Sequence, residues 1–396
     1  MLKFIHAGDV HLGNPFTGLS QHLRTDFQAA IQKATFTALD RLVETAIVEK
    51  VDLVLFPGDL FHGSDNSALI QERLLQAFRK LDQADIWVAV SFGNHDFQQS
   101  QLAHPTWPDH VMVFDAKVET KEIMVRSGDR VSLTGFSYSD RFQRQSALPD
   151  FPVKDSQLED YHLGLYHGAI GQNGEAYAAF NLDEMVAKGY DYWALGHIHI
   201  RQVLHENPMV AYSGNLQGLN RNETGPKGFY LVSDEAGLGL QAEFRSVAPV
   251  VWENLAIADC PDLATLQEEL SARDFNETTL LSIQLTGTVG QELRENDSWG
   301  LLLEKLQQSC PSSAKYWPIK VDLVKPTEAD VKPVQLPADV ALDEAIAATV
   351  NAENIGQLLS EQVPIEVRDY FYSKAGQEDL QSRLQRLIAE RDPNEN

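Results

Sequence analysis

Short apolar runs, each followed within a few residues by glycine, recur through the first part of the chain. They are Leu2 to Ala7, Val51 to Phe56, Ile86 to Val90, Leu163 to Tyr166 and Tyr190 to Leu195, and each reads as a buried strand. Between the first three, Leu23 to Lys50 carries Phe27, Ile31, Leu39, Leu42, Val43 and Ile47 near the helical period, and Ser67 to Leu81 carries Leu69, Leu74, Leu75, Phe78 and Leu81. Both stripes are read as core-facing. The alternation predicts βαβ units and hence an α/β fold. Shorter β-like pieces follow at 111–114, 123–125 and 131–133, a polar loop at 137–157, and further strands at 201–205, 209–213, 228–233 and 240–247. The loop, with Arg141 and Arg144, reads as solvated surface.

The pattern changes near Pro249. Strands at 250–258, 279–287 and 317–324 with helices at 262–272 and 297–309 predict a small α+β domain. The proline-rich, charged stretch beyond reads as a linker. Helix candidates follow at 339–349 and 377–389, the last with a stripe of Leu380, Leu384, Leu387 and Ile388. This divides the chain into a first domain over 1–248, a second over 249–325, a linker over 326–338 and a helical segment over 339–396 that either packs on itself or docks a partner.

Composition narrows the function classes. At 396 residues, 43% hydrophobic and 22% charged, the chain matches a soluble globular protein of two or three domains. No membrane span or signal peptide is visible, so the expected location is the cytoplasm. Cys260 and Cys310 lie far from every motif and are expected to be free. A formal net charge of -25 lacks the basic footprint of a self-sufficient nucleic-acid binder. Metal ions or a partner must supply positive charge if the substrate is a polyanion.

The strand ends carry the chemistry. Pro57-Gly58 closes the second strand and puts Asp59 at its mouth, the edge where ligands bind in open α/β sheets. Asp9 and His11 are spaced to point the same way from an extended segment, as are His197 and His199. Asn94 and His95 follow the third strand, and His167 ends another. Imidazoles, carboxylates and one amide suit Mn²⁺, Zn²⁺ or Fe²⁺ better than Ca²⁺ or Mg²⁺ alone. The ligands are too many for one ion. Two ions about 3.5 to 4 Å apart would use them all, with Asp59 the natural bridge. His6, His22, His104, His110, His162 and His205 match no motif and read as core or surface residues; Tyr192 and Trp193 read as packing.

In order, GDVH, GDLFH, GNHD, YHG and GHIH make a pattern that resembles the calcineurin-like metallophosphoesterase family. The resemblance implies a two-sheet β-sandwich flanked by helices, with the α+β domain as a cap and a helical C-terminal tail. It implies that Asp9, His11, Asp59 and His199 hold one ion, that Asp59, Asn94, His167 and His197 hold the other, and that His95 assists the transition state or leaving group. A hydroxide held between the ions would attack phosphorus in line. Leu60-Phe61-His62 after Asp59, and Asp96 after His95, differ from the Arg-Gly continuation and the Glu of protein phosphatases. They resemble instead the SbcD-like DNA-repair nucleases, most closely the YhaO-type exonucleases, which adds His62 as a catalytic candidate.

The same resemblance implies DNA as substrate, Mn²⁺ as the leading metal with Zn²⁺ or Fe²⁺ as alternatives, a coiled-coil SMC-like ATPase as partner, and a homodimer through the first helices. SGNLQG and ETGPKG also resemble the YhaO type, although Leu219-Asn220 stands where a basic residue and a histidine are expected. The leading expectation is a metal-dependent DNA exonuclease or endonuclease. The alternatives are a small-molecule phosphodiesterase or nucleotidase, and a catalytically weak scaffold for the ATPase.

Overall fold

The computed structural model describes residues 1–19, 22–61, 67–97, 107–155, 157–235, 239–324, 346, 349–351, 354–355 and 370–389. Met1–Val324 form one compact unit and Lys325–Asn396 a second. His62, His104 and the linker at 326–338 lie outside the described residues, as does most of the helix expected at 339–349.

The first unit begins β1 (Lys3–His6), α1 (Thr25–Glu49), β2 (Leu53–Pro57), α2 (Ala68–Gln83), β3 (Trp87–Ser91) and β4 (Val111–Val113). It continues with β5 (Glu119–Met124), β6 (Arg130–Gly135), β7 (Tyr161–His167), α3 (Leu182–Val186), β8 (Tyr192–Gly196), β9 (Gln202–Glu206) and β10 (Met209–Tyr212). After β11 (Gly228–Glu235) and β12 (Gly239–Ser246) come β13 (Val250–Ala258), α4 (Leu263–Ser271), β14 (Thr278–Thr286), α5 (Gln291–Ser298), α6 (Leu302–Ser309) and β15 (Tyr316–Leu323). In the second unit α7 spans Lys374–Ala389.

Two six-stranded sheets form the body, ordered β12-β11-β1-β2-β3-β4 and β5-β6-β7-β8-β10-β9. The strands β1 to β4 run parallel, as do β6, β7, β8 and β10. Period-2 alternation assigns their side chains. Phe4, Leu53, Leu55 and Ala89 meet Leu133, Leu163, Leu165 and Ala194 in one core between the sheets. Their neighbours Ile5, Val54, Phe56 and Val88 face Leu39, Leu42, Leu74 and Phe78 of α1 and α2. The sheets thus stack as a sandwich, with the helical pair outside the first.

On the outer face of the second sheet, Tyr166, Trp193 and Leu195 pack with Leu148 and Phe151. The segment at 137–157 therefore plugs that face rather than being wholly solvated; Arg141 and Arg144 remain exposed. Ile47 and Leu69 are exposed at 38% and 68%, because both sit in terminal helical turns where the apolar stripe has left the sheet. The helix expected at 297–309 is two helices, α5 and α6, broken at Trp299-Gly300, where Gly300 takes φ 68°. The short helix α3 carries too little periodicity to be read from sequence.

A third, all-parallel sheet, β13-β14-β15, carries α4, α5 and α6 on one face around Leu266, Leu281, Leu293 and Leu306. Its other face presents Trp252, Leu280 and Trp317 to Phe16, Phe27 and Leu219. Arg41 of α1 pairs with Glu277 at 3.0 Å, and Arg24 donates to the carbonyls of Pro311 and Ala314.

His6 lies fully buried between the two large sheets. Its Nε2–H donates to the Leu195 carbonyl at 3.1 Å, and Nδ1 accepts from the Tyr192 hydroxyl at 3.0 Å. Burial pushes its pKa down to about 3, against a weaker upward pull from the Leu195 carbonyl. Its contribution to stability is complete above the unfolded-state value of about 6.5 and is lost as pH falls from there towards 3. By pH 4 the loss reaches roughly 3 kcal/mol at about 1.4 kcal/mol per pH unit. His6→Gln should therefore be less stable than wild type at pH 7 by about 1–3 kcal/mol, with the gap closing by pH 4. Thermal unfolding followed by circular dichroism across that range reads the convergence, and a constant gap would contradict it.

Candidate metal centre

The C-terminal ends of β1, β2, β3, β7 and β8 lie along one edge of the sandwich. They deliver Asp9 and His11, Asp59, Asn94 and His95, His167, and His197 and His199 to one place. All eight expected groups in the described residues converge there; His62 lies outside them. Asp9, His11, Asp59 and His197 all adopt positive φ, at 48°, 44°, 54° and 100°. Such backbone is uncommon outside glycine and clusters where the surrounding structure holds it for a function.

Hydrogen bonds hold the turns. The amides of His11 and Leu12 donate to the carbonyls of Asp59 and Leu60 at 3.0 and 2.8 Å. Asp96 accepts from the amides of Leu60 and Gly93 at 2.6 Å each and from Phe61 at 3.3 Å, clamping the second turn to the third. The His95 amide donates to Asp59 Oδ1 at 2.9 Å. Both Asp9 oxygens accept from the His197 amide, at 2.9 and 3.1 Å.

Glycines make the approach close enough. A Cβ on Gly58, which has φ 97°, would fall 2.2 Å from His167 Nδ1. A Cβ on Gly93 would fall 2.3 Å from Asp59 Oδ1 and 2.6 Å from His167 Cε1. Only a bare backbone fits at either position.

The inward-facing polar atoms crowd together. His167 Nδ1 lies 2.9 Å from the Pro57 carbonyl, which can only accept, so that nitrogen carries the proton. Burial, then the neighbouring imidazoles, hold the His167 pKa well below its ordinary value and keep the ring neutral. The Nε2 lone pair then points at Asn94 Oδ1, 3.0 Å away, and at Asp59 Oδ2, 3.6 Å away. His197 Nδ1 is 3.1 Å from the same Asn94 oxygen. On the other side His11 Nε2 and His199 Nε2 are 3.0 Å apart, and His11 Nε2 is 3.7 Å from Asp59 Oδ2. Asp59 Oδ2 therefore stands between the two sets. Asp9, His11 and His199 make one triad of converging ligand atoms, and Asp9, Asp59 and His167 a second. These converging atoms could hold metal ions, and the mixed nitrogen and oxygen donors fit borderline divalent ions.

The titrating groups agree. Burial, then Asp96 and Asp9, push the Asp59 carboxyl well above its usual range. Burial lifts Asp9 to about 6, opposed by His199, and lifts Asp96 to about 7, opposed by the amides it accepts. Burial also lowers His197 to about 4. Divalent charge reverses the carboxyl shifts by favouring the ionised form.

Residues 2–201 match the profile of the calcineurin-like phosphoesterases. Across 344 residues, 83% of this chain and 83% of the relative, it is 34% identical to the metallophosphoesterase YhaO of Bacillus subtilis. The chain belongs to the calcineurin-like phosphoesterase family. Its members hydrolyse phosphoesters with divalent metals, and the convergence at the sandwich edge is a possible two-metal site. The DNA double-strand break repair protein Mre11 of Methanocaldococcus jannaschii is 28% identical over 242 residues, which cover 58% of this chain and 62% of that protein. A dimetal phosphatase from Danio rerio aligns with a TM-score of 0.38 and 13% identity over 62% of this chain and 98% of that one.

Motif reading missed Asp96 as the tie between two turns, although its place directly after the Asn-His pair was visible. It also missed Glu223, whose Oε1 accepts from His199 Nδ1 at 2.9 Å, and Lys227, whose Nζ donates to the His199 carbonyl at 2.8 Å. Both sit in a loop with no metal-type spacing. Among the described residues no helix is long and apolar enough to cross a membrane.

Gly93→Ala should fold yet bind divalent metal at least about tenfold more weakly, since its methyl displaces Asp59 and His167 together. Calorimetric titration with Mn²⁺, beside a thermal melt without metal, reads both. Wild-type affinity in this variant would show that the close approach is not needed.

Proposed function

We propose that this chain is a two-metal phosphodiester hydrolase acting on DNA as an exonuclease or endonuclease. The carrying observation is the position of Asp59 Oδ2 between the His11 and His167 nitrogens, 3.7 and 3.6 Å away. A carboxylate so placed is within reach of both sets of ligands. Asp9, His11, Asp59 and His199 would hold one ion; Asp59, Asn94, His167 and His197 would hold the other. When bound, the pair supplies Lewis acidity and a water that ionises near neutral pH.

The chain's own groups orient and discharge the reaction. His95, half-buried with its ring edge-on to His11 at 5.2 Å between centroids, stands beside the ligands and would offer a proton to the leaving oxygen. The His95 amide bond to Asp59 ties that ring to the bridge. Asp96 fixes the turn that presents both. Pro57, through its carbonyl, keeps the His167 lone pair aimed inward.

Support for DNA comes from the relatives named for DNA double-strand break repair. Mn²⁺ is the proposed metal, a role in DNA repair the proposed setting, the cytoplasm the proposed location, and a coiled-coil ATPase the proposed partner, docked through the helical segment after the linker. An acidic chain needs such a partner for extended contact with a duplex. His62 joins His95 as a proposed catalytic group.

Purified full-length protein with Mn²⁺ should cleave a chromogenic phosphodiester and DNA. Asp59→Ala and His95→Ala should each lose about 10²-fold or more in kcat, Asp59→Ala with weakened metal binding and His95→Ala without it. Cleavage of nucleoside monophosphates with DNA left intact would replace this reading by that of a nucleotidase. Two ions bound with no turnover on any substrate would replace it by that of a scaffold.

A further inference from the structure

The two sets of ligands are held in different ways. His167 is locked by the Pro57 carbonyl, a part of the sandwich itself. His199 is locked by a loop. We propose that Glu223 is a positioning residue that fixes His199 for one of the two ions and, through the same carboxylate, ties that ion's site to the third sheet. This rests on the two-metal reading above.

Every acceptor position of Glu223 is engaged. Oε1 accepts from His199 Nδ1 at 2.9 Å and from Asn220 Nδ2 at 2.7 Å. Oε2 accepts from Asn215 Nδ2 at 2.6 Å and from the Leu219 amide at 2.7 Å. With its side chain only 12% exposed, the carboxylate has no freedom to turn, so neither does the imidazole it grips. Its proton on Nδ1 leaves His199 Nε2 as the metal-facing lone pair, a carboxylate–histidine pairing that raises ligand basicity. Lys227, from the same loop, holds the main chain of His199 at the carbonyl. One loop thus sets both the ring and the backbone of this ligand.

The far side of the loop belongs to the third sheet. Gln217 Nε2 donates to the Val250 carbonyl at 2.7 Å, and Trp252 Nε1 donates to the Gly218 carbonyl at 2.9 Å. The Gly225 amide donates back to the Trp252 carbonyl at 2.9 Å. Leu219, whose amide Glu223 holds, is buried with Phe16, Trp252 and Trp317. A shift of β13 reaches His199 through these bonds, and reaches His167 through none of them.

The test strips the full-length protein with chelator and titrates Mn²⁺, counting ions by calorimetry and by electron paramagnetic resonance. Wild type should bind two. Glu223→Ala should weaken one ion by about 10- to 100-fold and leave the other unchanged, with the second ion serving as internal proof of fold. Glu223→Gln, which retains an acceptor for the His199 proton, should lose less. Gln217→Ala, which touches no ligand, should weaken the same ion by a smaller factor. Wild type binding fewer than two ions would sink the two-metal reading itself. Two unchanged ions in Glu223→Ala, or both weakened equally with a matching drop in metal-free melting temperature, would overturn the positioning role. An unchanged Gln217→Ala would overturn the link to the third sheet. If Glu223→Ala does not fold, Glu223→Gln and Lys227→Met carry the same comparison.

Discussion

The bond from His167 Nδ1–H to the Pro57 carbonyl joins the two large sheets at the edge where the ligands gather. His167 ends β7 in the second sheet; Pro57 ends β2 in the first. Asp9, His11, Asp59 and Asn94 come from the first sheet, and His167, His197 and His199 from the second, so the centre exists only when the sandwich is closed in register. His6, from the first sheet, makes the corresponding contact deeper in, to Tyr192 and Leu195 of the second. The apolar residues between the sheets supply most of the driving force, which is non-directional. These two imidazoles supply direction.

The carboxylates illustrate how environment divides one functional group among several tasks. Asp59 and Asp9 face inward, where burial and mutual repulsion favour the neutral acid. Asp96, next to them, accepts backbone amides from two turns and has no inward oxygen to spare. Glu223 stands outside the cluster, and although burial opposes it, the bonds from His199 and Leu219 hold its carboxyl below the usual range. Burial makes all three aspartates costly to ionise, but only Asp59 and Asp9 turn that cost towards a place a cation could fill, whereas Asp96 offsets it with backbone amides. Only Glu223, which holds a ligand in place, is held in its ionised form by its own bonds.

Much of this was legible in the sequence because the information is local. A strand, a turn and a ligand pair at fixed spacing place chemistry at a sheet edge without knowledge of which sheet, and β1, β2, β3, β7 and β8 all follow that rule. Sheet membership was not legible: β11 returns beside β1, and β10 lies between β8 and β9, pairings fixed by long-range packing. The break at Gly300 was hidden by an apolar pattern that continues through Leu301 and Leu302 in the next helix. Glu223 and Lys227 were hidden because loops that support a ligand carry no period; only the fold brings them within reach of His199.

The chain's acidity looks opposed to a polyanionic substrate, and the distance over which charge acts decides how far. Exposed charges are screened within about 8 Å at physiological salt, so the net charge of -25 is not felt as one field at the mouth of the site. Two divalent ions held by the buried cluster would be felt there, because low-dielectric walls screen them less. Under the proposed reading, a phosphodiester entering between the turns would meet that local positive charge first. Tracking a duplex beyond it demands a row of lysines and arginines along the backbone, and of the cations nearest His199 among the described residues, Lys227 is committed to the His199 carbonyl and Arg201 is stacked on Phe244 at 3.9 Å.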